Sequence, residues 1–298
     1  LPDEVIALAR RMFLLTDEDV QERSYWGSSM EMEPLFGLRS FSHDFFPASA
    51  YRGSFLFLLR SHPQKGVAFI IELINHATEW YAHPRYPMEY VEPPVEMVLQ
   101  FTDGTTRNQW VNDRLWNLYR GTSVGPYLLQ SALMALERWL LETCEVRPRS
   151  VDSILVGLLR ETTSAAITSV AASVVTAFPA LAHEAGLVLL RSPECVFLDK
   201  MRMAHESQSP GRLTGLLPLM DATKKIYDNE RKEADAMPHR SKDLEIAALN
   251  LQLGPTADRV HAILDEHRAK LPSPSEQDDD IRSWRLSLDR MDLRRYRP

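Results

Sequence analysis

His76, Glu79 and His83 stand at i, i+3 and i+7, a spacing that turns side chains to one face of a helix. Two imidazoles and a carboxylate make a sound ligand set for zinc. His83 precedes Pro84, however, and the residue before a proline is pushed out of helical geometry. No HExxH motif reinforces the trio. Histidines at a solvated helix end account for it as simply, so no metal site is assigned. His183-Glu184 and His205-Glu206 are sequence neighbours, so on a helix they project to different sides. A Ser/His/Asp site needs convergence and a sharp nucleophile turn such as GxSxG, and none is present. Neither GxxxxGK[ST] nor GxGxxG occurs. Gly121-Thr122-Ser123-Val124-Gly125 is the one loop whose amides could meet an anion at a helix start, and ordinary capping explains it. These residues predict no catalytic residue, no metal and no cofactor. An enzyme site assembled from His76, Glu79 and Asp113 is the alternative, and the metal content of the purified protein separates the two.

Arginines and aromatic residues carry the other chemistry. Arg282, Arg285, Arg290, Arg294, Arg295 and Arg297 surround a stripe of Trp284, Leu288 and Met291 near the C-terminus. Arginines are natural phosphate contacts. The stripe fits docking onto the body or onto a partner helix equally well. Tyr51, Arg52, Trp80, Tyr86, Trp110 and Trp116 lie in or beside connectors and are the residue types that anchor protein interfaces. The same types fill cores, which is the competing use for each of them.

Elements must hold these groups, and the chain is long enough for a sizeable core: 298 residues, 44% hydrophobic, 25% charged. The formal charge of −7 speaks against a nucleic-acid coat. Glycine is scarce, 12 residues or about 4% against a usual ~7%, which suits helices and disfavours phosphate-cradling loops. Cys144 and Cys195 each sit in an apolar run and read as buried free thiols. No signal-peptide pattern and no membrane-length apolar run appears, so a cytoplasmic protein without a membrane partner is expected. The first residue is Leu1, and the chain reads as a fragment of something longer.

Residues 2–15 repeat Val5, Ile6, Leu8, Ala9, Met12 and Phe13 at helical spacing, and Thr16 caps a short helix after it. Helices over 47–59 and 63–82 pair about Ser61-His62-Pro63. The prolines of 84–94 make an extended connector. Residues 95–101 and 106–111 flank Thr102-Asp103-Gly104-Thr105, a strong hairpin signal. Helices follow over 124–145, 151–161, 163–177, 180–191 and 194–205, with Pro-marked turns at roughly HEAT-like spacing. Residues 217–241 are dense in mixed charge and read as a solvated helix, and a further pair spans 242–253 and 256–270. Pro272-Ser273-Pro274-Ser275 and Asp278-Asp279-Asp280 read as a flexible acidic linker. The expected fold is mainly α: an irregular α-solenoid of HEAT-like stacked helical hairpins with one small β-hairpin near 95–111. The expected parts are an N-terminal helical part (1–83, holding the 47–82 pair), the hairpin and stacked helices (95–270), and the linker with an Arg-rich helix (271–298).

Several stretches resemble the helical region of very large bacterial NTP-dependent proteins implicated in defence against phage. They are Phe46-Pro47-Ala48-Ser49-Ala50-Tyr51-Arg52-Gly53 with Phe55-Leu56-Phe57-Leu58-Leu59-Arg60, then Asn75-His76-Ala77-Thr78-Glu79-Trp80-Tyr81. Leu128-Leu129-Gln130-Ser131-Ala132-Leu133-Met134-Ala135-Leu136-Glu137 and Leu158-Leu159-Arg160-Glu161 add to these, so that the likeness spans about 45–205. The resemblance implies an NTPase module elsewhere in a parent chain and assigns no functional residue here. The expected function is a non-catalytic scaffold or sensor segment that binds a protein partner or the rest of its parent chain, with homo-oligomerisation also open. Contacts of Arg285, Arg290, Arg294 and Arg295 with nucleic acid form the alternative, with a hydrolase site near His76 and Glu79 behind it.

Overall fold

Residues Ala165–Ala177 carry no charge and are Ala-, Val-, Ser- and Thr-rich on every side, a composition that suits a helix covered on all faces. The computed structural model describes residues 2–22, 32–39, 44–84, 92–208 and 222–296, and it places this helix at the centre. Ser164 starts it, its hydroxyl accepting from the Ala166 amide at 3.2 Å. In chain order the described helices are α1 (Pro2–Phe13), α2 (Asp17–Glu22), α3 (Phe55–Ser61), α4 (Pro63–Ala82), α5 (Asp113–Asn117), α6 (Tyr127–Val146), α7 (Val151–Glu161) and α8 (Ala165–Ala177). They continue with α9 (His183–Leu190), α10 (Pro193–Gln208), α11 (Ala222–Asp235), α12 (Leu244–Leu251), α13 (Ala257–Ala269) and α14 (Asp279–Arg290). Around α8 pack α5, α6, α7, α9, α10 and α12, while α3 and α4 pair and lie on α6. The fold is mainly helical with one two-stranded hairpin.

That hairpin, β1 (Val95–Gln100) and β2 (Thr106–Val111), is antiparallel and pairs Val95 with Val111 and Gln100 with Thr106. Gly104 takes φ +83°, the left-handed turn conformation open to glycine, and Asp103 Oδ1 accepts from the Thr105 amide at 3.0 Å. Trp110 N donates to Thr163 O at 2.8 Å and fixes β2 to the start of α8. Thr16 caps α2 as the sequence predicts, and Asp19 returns the bond, its carboxylate accepting from the Thr16 amide at 2.8 Å.

Three expectations change. The helix expected from Pro47 begins only at Phe55, because the hydroxyl of Ser49 and the amide of Ala50 both donate to Glu230 of α11 and hold residues 47–52 in turns. Asp278-Asp279-Asp280 is the start of α14, not linker: Asp278 Oδ1 accepts from the Ile281 amide at 2.8 Å. The helix expected to be solvated buries Glu230 and Arg231. One cluster of buried apolar side chains runs from Ile6 to Met291, crossing the connector at 84–94 and the tail junction at 271.

Candidate interaction surface

The sequence's metal-type trio divides. Glu79 pairs with His83 at 3.1 Å and accepts from Trp110 Nε1 at 3.1 Å, and the His83 ring meets the Trp110 ring edge-on at 5.2 Å. His76 turns away to the Gly37 carbonyl at 3.1 Å and lies against the Trp80 ring. Asp113 is on α5, accepting from Asn117 Nδ2 at 2.9 Å. Among the described residues no group of three or more His, Cys, Asp or Glu side chains is arranged to hold a metal ion. Both cysteines are buried and free, and burial pushes the Cys195 thiol up to about 12.

The interface-type residues divide as well. Trp116 and Trp80 are core side chains, at 0% and 7% exposure, and neither can meet a partner without unfolding its surroundings. This corrects the expectation for both. Trp80 is fixed by Gly37, whose left-handed φ of +61° lets the backbone pass so close that a Cβ there would stand 2.4 Å from the indole. Trp110 is half-buried against Glu79. Tyr51 is exposed and lies under Arg138, 4.9 Å from guanidinium to ring. Arg52 covers the Tyr227 ring at 4.3 Å and donates to the Phe46 carbonyl. Tyr86 lies outside the described residues.

Arg290 and Arg294 are bonded to acids of the body, and Arg295 to an acid of the tail itself. Arg290 holds Glu245 through two bonds, 2.7 and 2.9 Å. Arg294 bridges Asp265 at 2.6 Å and Asp292 at 2.8 Å, and Arg295 reaches Asp289 at 3.5 Å. Arg285 alone of the four is exposed with no ion pair among the described residues.

The densest ionic chemistry was not foreseen. Where α6, α10, α11 and α12 converge, Arg240 clamps Glu137 through two bonds of 2.7 Å, and Ser173 of α8 donates to the same carboxylate. Arg120 pairs with Glu206 at 2.5 Å and Asp235 at 2.6 Å, and Arg202 with Asp199 at 2.8 Å and Glu206 at 3.2 Å. Arg231 donates to the Arg120 carbonyl at 2.6 Å. Burial alone would raise Glu137, but Arg240 and Arg120 outweigh it and hold the carboxylate below the ordinary range. Burial first, then the neighbouring Arg240, takes His239 down to about 3, so it is neutral at physiological pH. Burial and Arg120 together bring Arg231 down to about 10. Tyr119 Oη, Arg120 Nη1 and His239 Nε2 make no hydrogen bond within the described residues. Reading from sequence missed the cluster because its members come from stretches as distant as 120 and 240, and charge in a helix looks solvated until its neighbours are known.

No family model matches the sequence, and no curated protein matches it. Assignment therefore rests on the surface itself. On α1 the apolar residues split between two faces. Ile6 is buried on the body at 7% exposure and Phe13 packs half-buried beside Phe45 and Phe55. Val5, Leu8 and Met12 face outward at 52%, 51% and 44%. Lys65–Asp3 at 2.6 Å and Arg10–Glu72 at 2.5 Å pin the inward face to α4. No described helix is long and apolar enough to cross a membrane.

Proposed function

We propose that the chain is a helical interaction scaffold, a non-catalytic segment that grips a protein partner or another part of a larger, NTP-driven assembly. The observation that carries this reading is α1, pinned to the body by one face and presenting Val5, Leu8 and Met12 to solvent on the other. A helix that shows an apolar stripe outward is a ready surface for a second helix. The ion pairs support the same reading: Arg120 joins α10 to α11, Arg240 ties the 238–241 turn to α6, and Arg202 pairs with acids of its own α10, so this charge is spent inside the fold. Arg290, Arg294 and Arg295 are engaged with carboxylates, which weighs against the tail as a phosphate-binding arm.

A photoreactive amino acid placed at Leu8 in cells tests the proposal, with the same probe at exposed Glu233 as control. A discrete protein adduct from position 8 and none from position 233 is the expected result. Adducts absent from Leu8, together with turnover of a substrate by the purified chain, would overturn the scaffold reading.

A further inference from the structure

We infer that the outward stripe of α1 pairs with the same stripe of a second copy of this chain, antiparallel across a two-fold axis. The inference rests on the scaffold reading and names its partner.

At about 100° per residue, Val5, Leu8 and Met12 fall within about 60° of the helix circumference and extend about 10 Å along its axis. Their spacing of three and four is that of a coiled-coil seam. Along one edge of the seam stand Glu4 and Arg11, seven residues apart, both exposed and neither in an ion pair among the described residues. The other acids and bases of the helix, Asp3 and Arg10, are already taken by Lys65 and Glu72 of α4. The free pair thus lies on the outward side only.

Two such helices set antiparallel, Leu8 against Leu8, place Val5 of one against Met12 of the other. The same register places Glu4 against Arg11 of the second copy, and symmetry repeats the contact at the opposite end. A parallel two-fold pair would put the two charged edges on opposite sides of the seam, where neither Glu4 nor Arg11 meets its opposite charge. The charge pattern therefore selects the antiparallel self-complementary arrangement, the form a two-fold interface requires. A lipid surface fits less well: interfacial helices are rich in Lys and Arg on the polar face, whereas α1 carries Asp3 and Glu4 as well as Arg10 and Arg11. The contact is smaller than a standard interface of ~800 Å² per partner, so the dimer is weak, with a dissociation constant above about 1 µM.

Sedimentation equilibrium from micromolar to near-millimolar chain tests this, with circular dichroism and thermal melting to confirm that each variant folds. The wild type is expected to pass from monomer to dimer. Leu8→Glu, at an exposed position that the fold does not need, should raise the dissociation constant about a hundredfold or more. Glu4→Arg and Arg11→Glu should each weaken self-association by about threefold to tenfold, and the two variants mixed should form a heterodimer of wild-type strength. The double variant Glu4→Arg/Arg11→Glu should also recover it. A wild type monomeric at every concentration, a dimer indifferent to Leu8→Glu, or charge variants that do not rescue one another would each overturn the inference. Binding of the monomer to anionic phospholipid vesicles through Leu8 would overturn it in favour of a membrane. A monomeric chain whose position-8 probe still captures a different protein would end the self-pairing and leave the scaffold reading standing.

Discussion

The side chains with the strongest claim to chemistry are those of the buried ionic cluster, and their arrangement makes them structural. Glu137 is enclosed with Arg240 and Ser173, so removing Arg240 leaves a carboxylate with no way back to water. Arg240→Ala should cost about 3–5 kcal/mol by chemical denaturation, while the double change Glu137→Leu/Arg240→Met, which removes both charges, should recover most of that loss. If the single and double variants are equally unstable, the cost is packing, not the stranded charge. His239 adds a pH dependence whose sign is fixed by its lowered pKa. The fold keeps it neutral down to about 3, whereas an unfolded imidazole takes its proton near 6.5. Its contribution is complete above pH 7. As the pH falls below 6.5 the unfolded chain gains a proton that the folded chain refuses, and stability declines by up to about 1.4 kcal/mol per pH unit. Burial of His267 acts in the same direction. Melting measured between pH 7 and pH 5, above the carboxylate range, should show the decline in the wild type and a shallower one in His239→Gln. Identical slopes would remove His239 as the cause.

At the level of elements, local signals were legible wherever a turn residue or a cap determines the chain path. Pro63, Asp103-Gly104 and Thr16 each mark a boundary that depends on its own backbone, and the structure puts α4, the hairpin and α2 there. The start of α3 and the docking of α11 depend on one another across some 180 residues, and no local pattern carries that. Proline and small residues at 47–50 look like a helix start, yet Glu230 takes the Ser49 hydroxyl at 2.5 Å and the Ala50 amide at 3.1 Å. The periodicity of α1 likewise shows an amphipathic helix but not that its apolar residues serve two faces. Among the side chains described in α11 the buried ones are Glu230, Arg231 and Ala234, so polar bonds rather than apolar area hold this helix down. Ala48, Ala50 and Met134 form a small cluster of their own beneath the 47–52 turns. Glu230→Ala should therefore release α11 and those turns together. Native-state hydrogen exchange should then speed up in α11 by about tenfold or more while α6 and α8 keep their protection, since helices open as local units. Equal acceleration in all three would mean that α11 is part of the main cooperative unit.

Across the whole molecule, the tail shows what composition alone conceals. Arginines around a Trp-Leu-Met stripe describe a docked helix and a phosphate-binding arm equally well, and the choice turns on which acids wait on the body. Glu245 and Asp265 are there, at 2.7 and 2.6 Å from Arg290 and Arg294. Trp284 meets His267 edge-on at 5.3 Å, Gln252 donates to the Met291 carbonyl at 2.6 Å, and the Leu293 amide returns to Gln252 at 2.9 Å. Leu288 and Met291 are fully enclosed and join the same apolar cluster that holds Ile6. A tail so bound is part of the core's closure. Deleting 278–298 should strip the cover from α12 and α13 and lower stability by about 3–6 kcal/mol from the lost burial of Leu288 and Met291 alone. The truncated chain should melt at a clearly lower temperature and bind a hydrophobic dye such as ANS. A truncation that melts with the full chain would instead mark 278–298 as a separable arm, and the arginines would then be free to be tested as ligands for phosphate.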